Sequence, residues 1–319
     1  MNSCSNRKDV ETVFRVAHLY YDEHYTQEQI SKKLFLSRSS ISRILMQARE
    51  EGIVEIVVHY PYERIRRLEF DFLHKFGMED VRIIDSDNRT THDNFTAVTK
   101  LAGSYLNSIF TNKTVLGLTY GKSVYGAVHE LHPTGFLPYM TVTQVVGATE
   151  SSNPELDGLD LAHCVSGLYG CNHHYLTVPF MVDDARTCQQ LMNRPAVKTT
   201  LSIASDSTIL LTGIHSKSRW NQYVSCDVLD ELDAKKAVGR IAGYFFDIEG
   251  NIIDVPEVYD RMIAITTDAL LKIPLRIAVV ADPSKAEAAL GALRGKLVNS
   301  LVTNSITAAT ILSIDDALS

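Results

Sequence analysis

Two short helices joined by a tight turn are predicted by residues 26–49, which read TQEQISKKLFLSRSSISRILMQAR. Thr26 can cap the first helix, with Gln29 completing a capping box, and Ser37 can cap the second. Apolar residues recur at helical spacing along both segments, so each helix has one face that can enter a small core. The stretch is therefore typical of a helix-turn-helix module.

The charge of this module differs from that of the rest of the chain. Residues 26–49 contain five Lys or Arg residues against one Glu, a local net charge of +4, whereas the whole chain carries −7. Small polar and basic side chains occupy the start of the second helix, the part of a recognition helix that meets base edges in the major groove. The alternative is a three-helix bundle with a solvated face. The predicted DNA-binding residues are Thr26, Gln27, Lys33, Ser37, Arg38, Ser39, Ser40, Ser42, Arg43 and Gln47.

Further elements are predicted on either side of this pair of helices. Upstream, residues 10–20 carry an apolar stripe at helical spacing, which indicates a third helix. Downstream, Gly52 is predicted to be the C-cap of the recognition helix. Residues 53–58 are rich in β-branched residues and are predicted to form a short wing strand before Pro61.

A helix from residue 62 to residue 76 is predicted to follow. One face of this helix is apolar and consists of Ile65, Leu68, Phe72 and Phe76. Such a face suits a linker helix or a dimer contact. The predicted domains are a helix-turn-helix DNA-binding domain at 1–60, a linker or dimerisation helix at 61–77, and an effector-binding and oligomerisation domain at 78–319.

From residue 81 onward, apolar strands and helices alternate. Such alternation predicts an α/β fold with a mostly parallel sheet covered by helices on both faces. Residues 151–174 are less regular and read as loop. The predicted strands are 81–84, 114–118, 141–146, 175–178, 208–214, 262–265, 275–280 and 300–302, and the predicted helices are 95–110, 123–131, two within 184–204, and 285–293.

The stretch GLTYGKS, residues 117–123, follows a strand and opens a helix. A nucleotide-binding P-loop has four residues between its first glycine and the Gly-Lys pair, whereas only three stand here, which disfavours a nucleoside triphosphate. A glycine turn at the carboxyl end of a parallel strand still suits an anionic or hydroxyl-rich ligand. A ligand-free turn is the alternative.

Several other classes of protein and site lack support. Of 319 residues, 45% are hydrophobic and 22% charged, and the five cysteines form no C-x-x-C pair, so a disulfide framework or a structural zinc site is not expected. The polar start and the absence of a long apolar run predict a cytoplasmic protein with no membrane partner. No cofactor is expected. No metal site is expected either, because the one cluster of possible ligands matches no known metal-ligand spacing. This cluster comprises His163, Cys164, Cys171, His173 and His174.

Taken together, the motifs make the chain similar to the SorC family of bacterial sugar-responsive transcription regulators over nearly its whole length. The similar stretches are residues 17–21, 26–31, 40–45, 117–122, 238–247 with Gly250, 285–288 and 301–304. The resemblance implies a C-terminal domain like glucosamine-6-phosphate deaminase and ribose-5-phosphate isomerase. It also implies operator DNA and a sugar or sugar phosphate as partners, and a homo-oligomer that is usually a tetramer, a dimer of dimers.

The chain departs from this family at two acidic positions. Arg240 and Asn304 stand where relatives commonly have Asp, and residues 145–148 contain no lysine for a Schiff base with an aldehyde sugar. Arg240 either supplies positive charge for a phosphate or faces solvent. The predicted effector-binding residues are Thr119, Tyr120, Gly121, Lys122, Ser123, Gly147, Ala148, Thr149, His215, Arg240 and Lys285, with Glu150 as a neighbouring candidate.

The sequence therefore predicts a DNA-binding regulator of a carbohydrate operon that is not an enzyme. The rival is a phosphosugar isomerase or deaminase fused to a DNA-binding module, which would need a positioned carboxylate or lysine base. No pair of residues with assignable acid and base roles is evident. A third possibility is a DNA-binding module on an assembly domain that binds no effector.

Overall fold

The computed structural model describes residues 3–23, 25–54, 63–86, 90–149, 153–216 and 224–318. The chain divides into two compact units, Met1–Pro61 and Tyr62–Ser319. In the described part of the chain, no helix is long and apolar enough to cross a membrane.

The described residues of the N-terminal unit form three helices: α1 (Ser3–Tyr21), α2 (Gln27–Leu34) and α3 (Arg38–Glu50). Three residues connect α2 to α3. The predicted capping box is confirmed, because the Thr26 hydroxyl accepts the Gln29 N–H while the Gln29 side chain accepts the Thr26 N–H. The Ser37 hydroxyl accepts the Ser40 N–H, as a cap of α3 should. The sequence-predicted helix-turn-helix is thus present.

The core of this unit is small and apolar, and it is formed by Val16, Leu19, Ile30, Ile41 and Leu45. The apolar stripe predicted for α1 is partly wrong, since Val10 and Phe14 are exposed. The reason is that α2 and α3 together cover only one side of α1.

The end of α3 also differs from the prediction. Glu51 is the C-cap residue, and Gly52 follows it in the left-handed region with φ 70°. The predicted C-cap at Gly52 is therefore wrong by one residue, although a glycine after the cap is a common way to end a helix. Ile53 and Val54 form no strand. The rest of the predicted wing strand, residues 55–58, and Pro61 lie outside the described residues.

The C-terminal unit is an α/β domain. Its helices are α4 (Arg66–Phe76), α5 (Thr91–Ile109), α6 (Lys122–His129), α7 (Gly158–Tyr169), α8 (Ala185–Met192), α9 (Pro195–Ser205), α10 (Cys226–Ala234), α11 (Pro256–Tyr259), α12 (Thr267–Lys272), α13 (Ala286–Arg294) and α14 (Ser305–Leu318). Its strands are β1 (Asp80–Ile84), β2 (Val115–Leu118), β3 (Thr141–Gln144), β4 (Asn172–His174), β5 (Ile209–Thr212), β6 (His215–Ser216), β7 (Gly239–Ile241), β8 (Tyr244–Phe246), β9 (Leu275–Val280) and β10 (Ser300–Asn304).

Seven strands form one parallel sheet in the order β1-β10-β9-β5-β2-β3-β4. Apolar side chains fill the cores that pack against it. The strands β6, β7 and β8 form a separate antiparallel sheet. The predicted α/β class with a mostly parallel sheet is confirmed.

Three local predictions in this unit are wrong. Residues 151–174 are not a continuous loop, because α7 and β4 lie within them. The predicted strand at 175–178 is replaced by β4, three residues earlier. The predicted strand at 262–265 is reduced to isolated bridges from Met262 and Ala264. For the two strands, the hydrogen bonds available from neighbouring backbone, rather than local apolarity, decided where the strand forms.

The predicted helix at 62–76 begins at Arg66, and Tyr62 lies outside the described residues. The later start has a clear cause, because Arg64 forms an antiparallel bridge with Ile84 of β1 and the Ile65 N–H donates to the Ile83 carbonyl. The apolar face of α4 packs in the same core as β1, α13 and α14. This face is therefore occupied within the unit and is not the open dimer surface that the sequence suggested.

A buried carboxylate fixes α4 to the sheet. Glu69 is 4% exposed and accepts hydrogen bonds from Arg64 Nε (2.7 Å), Arg64 Nη2 (3.0 Å) and the Ile83 N–H (2.9 Å). Arg66 Nη1 adds a contact at 3.3 Å. Because a buried charge is stable only when it is well paired, this cluster holds the first described residues of the unit in one place.

We expect Glu69→Gln to destabilise the α/β unit strongly. The amide keeps the shape of the side chain but removes the charge that faces Arg64, and breaking a buried ion pair costs about 3 kcal/mol of unfolding free energy. Urea unfolding followed by circular dichroism measures the change. Glu231→Gln is the matched control, since the Glu231–Lys235 pair is exposed and is worth about 0.5 kcal/mol. Similar losses of unfolding free energy in both variants would contradict the stabilising role of the Glu69 cluster.

Candidate functional site

The carboxyl ends of four adjacent parallel strands, β9, β5, β2 and β3, lie at one edge of the main sheet. The chain leaves β2 toward β3 on one side, and it leaves β5 toward β9 on the other. A change of direction of this kind opens a crevice between two neighbouring loops, which is where open α/β sheets bind ligands. The loops concerned follow Leu118 and Thr212.

Three of the predicted effector-binding side chains meet at this crevice. The Tyr120 and His215 rings are stacked with their centroids 5.4 Å apart, and Arg240 Nη1 donates to Tyr120 Oη at 2.7 Å. Arg240 lies opposite His215 in the antiparallel pairing of β7 with β6. Arg240 is 5% exposed, so it does not face solvent. The alternative that Arg240 faces solvent is therefore wrong, whereas its contact with a phosphate stays a prediction.

The glycine turn after β2 leads into the N-terminus of α6. Gly121 has φ 103°, a conformation that side chains strongly disfavour, and a Cβ atom there would lie 3.2 Å from His215 Cε1. Its N–H donates to the Leu156 carbonyl at 2.9 Å. The first N–H groups of α6, which begins at the exposed Lys122, have no intrahelical acceptor, and no side chain caps the helix.

Two further predicted side chains, those of Thr119 and Ser123, are buried at this end of the sheet. The Thr119 hydroxyl is buried and donates to Thr212 Oγ1 at 3.2 Å, across the β2–β5 pair. Ser123 is also buried, one residue inside α6. Both residues are buried, and their contact with an effector stays a prediction.

The segment after β3 is held by backbone bonds. The Gly147 N–H donates to Ile263 O, and the Ala148 N–H donates to Val178 O. A Cβ on Gly147 would lie 2.6 Å from Pro179 O, which explains the glycine. These residues pack beside Phe180, whose ring is 6.0 Å from that of Tyr120. Glu150 lies outside the described residues.

Asp157 is a site residue that the sequence reasoning missed. Its carboxylate accepts the N–H and hydroxyl of Thr149 at 2.5 and 2.8 Å, and the Leu159 N–H at 2.9 Å. It thereby caps α7 and joins it to the segment after β3. An Asp placed before Gly158 and an apolar helical run is the capping signal that could have revealed both the residue and the helix.

Lys285 occupies the next strand end. It closes a 3₁₀ turn (Pro283–Lys285) after β9 and is the N-cap residue of α13, so it precedes the helix instead of opening it. The helix α13 packs closely on β7, because a Cβ on Gly239 would lie 2.6 Å from the Ala288 methyl group.

Asn304 has a structural role. Its Oδ1 accepts the Thr307 N–H at the start of α14, and its Nδ2 donates to the Ala281 carbonyl, both at 2.8 Å. The side chain is buried at the end of β10. The neutral amide therefore connects the ends of β9 and β10 by using both its donor and its acceptor. An ionised Asp could accept a hydrogen bond here but could not donate one.

The surface of the N-terminal unit can be compared with the predicted DNA-binding residues. Four of those on α3 are exposed, as predicted: Arg38, Ser39, Ser42 and Arg43. Gln47 donates to Glu51 at 2.8 Å, and the Ser40 hydroxyl bonds the capping Ser37, so these two side chains already have partners. Lys33 lies over the Tyr25 ring, 4.4 Å from its centroid. Thr26 and Gln27 stand at the start of α2.

The histidine and cysteine cluster lies on α7 and at β4, not on a loop. His163 Nδ1 is 3.2 Å from Tyr175 Oη, and His173 stacks on the Tyr175 ring. Burial raises the pKa of the Cys164 and Cys171 thiols, so both are protonated near neutral pH.

The fold and the crevice define a ligand-binding α/β domain preceded by a helix-turn-helix unit. Residues 60–313 match the profile of the sugar-binding domain family. The chain belongs to the SorC family of transcription regulators, the family that its sequence motifs indicated.

Individual relatives show the same relationship along the whole chain. The sorbitol operon regulator of Klebsiella pneumoniae is 25% identical over 313 residues, covering 96% of this chain and 99% of the relative. The transcriptional regulator LsrR of Escherichia coli is 27% identical over 311 residues, covering 95% and 94%. The crystal structure of full-length SorC from Klebsiella pneumoniae has a TM-score of 0.77 at 25% identity, covering 95% of this chain and 99% of that one.

We expect Gly121→Ala to destabilise the protein by about 1 to 3 kcal/mol, because the alanine backbone would have to keep a strained conformation. The new methyl group would also lie against His215. Thermal unfolding measures the loss. Gly135→Ala is the control, since no atom would lie within 4 Å of its Cβ and its φ is not positive. An unchanged melting temperature in Gly121→Ala would show that the turn can relax.

Proposed function

We propose that this protein is a DNA-binding transcription regulator of a carbohydrate operon, controlled by a sugar or sugar phosphate bound in the crevice. Two relatives that align along nearly the whole chain are a sorbitol operon regulator and a transcriptional regulator. The observation that carries the proposal is the Arg240–Tyr120–His215 group beside the N-terminus of α6, at the switch point of the sheet. The protein acts in the cytoplasm as a homo-oligomer, in which paired helix-turn-helix units read two half-sites.

The crevice suits an anionic ligand. A buried guanidinium is most stable beside a group that accepts its hydrogen bonds, and an uncapped helix N-terminus also favours negative charge. Lys122 and Lys285 add charge at the ends of β2 and β9, two strands that are separated by β5. A phosphate on a sugar matches this arrangement, while the Tyr120 and His215 rings offer a surface for the carbon skeleton.

Binding, rather than turnover, fits the environment of the carboxylate next to the crevice. Asp157 already accepts three hydrogen bonds from Thr149 and Leu159, and it caps α7. A general base must be able to reach and abstract a substrate proton. Production of a new sugar phosphate by the purified protein would support the rival isomerase or deaminase function.

The control of DNA binding follows from linkage. An effector changes operator affinity only to the extent that it binds the DNA-competent and the DNA-incompetent states with different affinities. Thermal shift measurements with pairs of sugars and their phosphates identify the ligand, because a ligand at 100 times its Kd stabilises the folded state by about 2.7 kcal/mol. The absence of a shift with any compound of either class would favour an assembly domain that binds no effector.

For DNA, we expect Arg43→Ala to weaken operator binding by about 1 to 3 kcal/mol and to relax the sequence preference at one position. We expect Lys33→Ala to weaken binding to all sequences and to reduce the salt slope by about 1, because Lys33 would contact only phosphate. Footprinting and salt titration of both variants separate the two effects. An Arg43→Ala variant with the operator affinity of the wild type would contradict the role of Arg43.

For the effector, we expect Lys122→Ala and Lys285→Ala each to weaken a phosphorylated ligand by about 1.5 to 3 kcal/mol, the range for hydrogen bonds to charged groups. Operator binding without effector should not change. Calorimetry with the sugar phosphate that gives the largest thermal shift measures the loss. Lys113→Ala is the control, because Lys113 precedes β2 and so lies at the opposite end of that strand. Equal affinities in all four proteins would argue for a neutral sugar.

A further inference from the structure

Phe35 lies between α2 and α3 with its side chain exposed to solvent. Among the described residues it has the most exposed large apolar side chain, at 94%. Its backbone is also unusual, since φ 54° and ψ 37° place it in the left-handed region. Both features are unfavourable for a phenylalanine in water.

A glycine or asparagine is the residue that normally ends a helix in this conformation. A bulky side chain in the left-handed region is strained, and the strain persists only where the surrounding structure imposes it. Single exposed apolar residues are common on protein surfaces. An exposed aromatic ring on a strained backbone is not, and it calls for a specific reason.

The turn does not depend on this ring. The Phe35 and Leu36 N–H groups both donate to the Ser31 carbonyl, and the Ser31 hydroxyl donates to the Leu36 carbonyl at 2.5 Å. The Leu36 side chain packs against the core of the unit. These bonds and this contact fix the turn, so a glycine at position 35 would support the same geometry.

The surroundings of Phe35 show what the ring could contact. Only Leu36 separates it from the cap of α3 at Ser37, so the Cα atoms of Phe35 and Ser37 lie within about 7 Å. Exposed Arg38 and Ser39 begin α3, and exposed Lys32 and Lys33 end α2. The ring therefore stands within the basic and hydroxyl-bearing surface that the proposed function presents to DNA.

We propose that Phe35 binds the C5-methyl group of a thymine in the operator and so contributes to sequence recognition. The proposal rests on the proposed DNA-binding function. The N-terminus of a recognition helix enters the major groove, and the thymine methyl is the apolar group that base pairs display there. Contact with it would remove both the methyl group and the ring from water.

The test uses the full chain and an operator selected from random duplexes by the wild-type protein. We expect Phe35→Asn and Phe35→Gly to weaken operator binding by about fivefold or more, equivalent to about 1 kcal/mol. Because both residues tolerate the left-handed region, we expect the variants to melt at or above the temperature of the wild type. Phe14→Ala is the control: Phe14 is also exposed, but it lies on α1, and we expect its affinity to be unchanged.

A second measurement identifies the thymine. Each thymine of the operator is replaced in turn by deoxyuridine, which lacks the C5-methyl group. We expect one replacement to weaken wild-type binding by a similar factor and to have no further effect on Phe35→Asn.

Equal operator affinity in the wild type and Phe35→Asn would overturn the role of Phe35. A loss in the variant that adds to the loss from every deoxyuridine replacement would overturn the thymine contact. Failure of the wild type to select any sequence would overturn the DNA-binding function itself, a different result from either of these.

Discussion

The arrangement of the site depends on one constraint, the parallel pairing of β2 with β5 at the centre of the main sheet. Parallel strands need crossover connections, so their carboxyl ends and the loops that follow them lie at one edge. Gly117 of β2 has room for no side chain, because a Cβ there would lie 2.7 Å from Val145 Cγ1 and 2.8 Å from Ser207 Oγ. The loop with Tyr120 and the loop with His215 are therefore neighbours, although more than ninety residues separate them in the chain.

Burial gives Arg240 its importance at this edge. A guanidinium on the surface would be screened by water, whereas one that is held against Tyr120 in the interior attracts an anion strongly. Arg240 lies in β7, which packs on Ala288 of α13 at Gly239. The small sheet therefore contacts the first turn of α13, the helix whose N-cap is Lys285. Ligand contacts at Arg240 and at Lys285 would thus act on elements that touch each other.

The outermost strand of the main sheet, β1, is held by a buried ion pair. Glu69 joins Arg64, α4 and the backbone of β1, so the first described residues of the unit are held to the edge of the sheet. Because β1 pairs with β10 and β10 with β9, this attachment belongs to the same sheet as the crevice. Paired strands therefore connect the crevice to residues 63–65, the first described residues of the α/β unit. Such a connection couples effector binding to DNA binding only if both ligands bias the same two-state element.

The sequence by itself determined the features that depend on residues close together in the chain. Thr26 and Ser37 cap their helices because a capping hydroxyl acts within three residues, and alternating apolar strands and helices defined the α/β class. The motifs also indicated the family. The start of α4 was misplaced because pairing with the distant strand β1 decides it. The helix α7 was missed although its N-cap, Asp157, is a local signal in the sequence. Only the tertiary structure decided the strand order, the burial of Arg240 and its contact with Tyr120, because these depend on long-range pairing that no local pattern encodes.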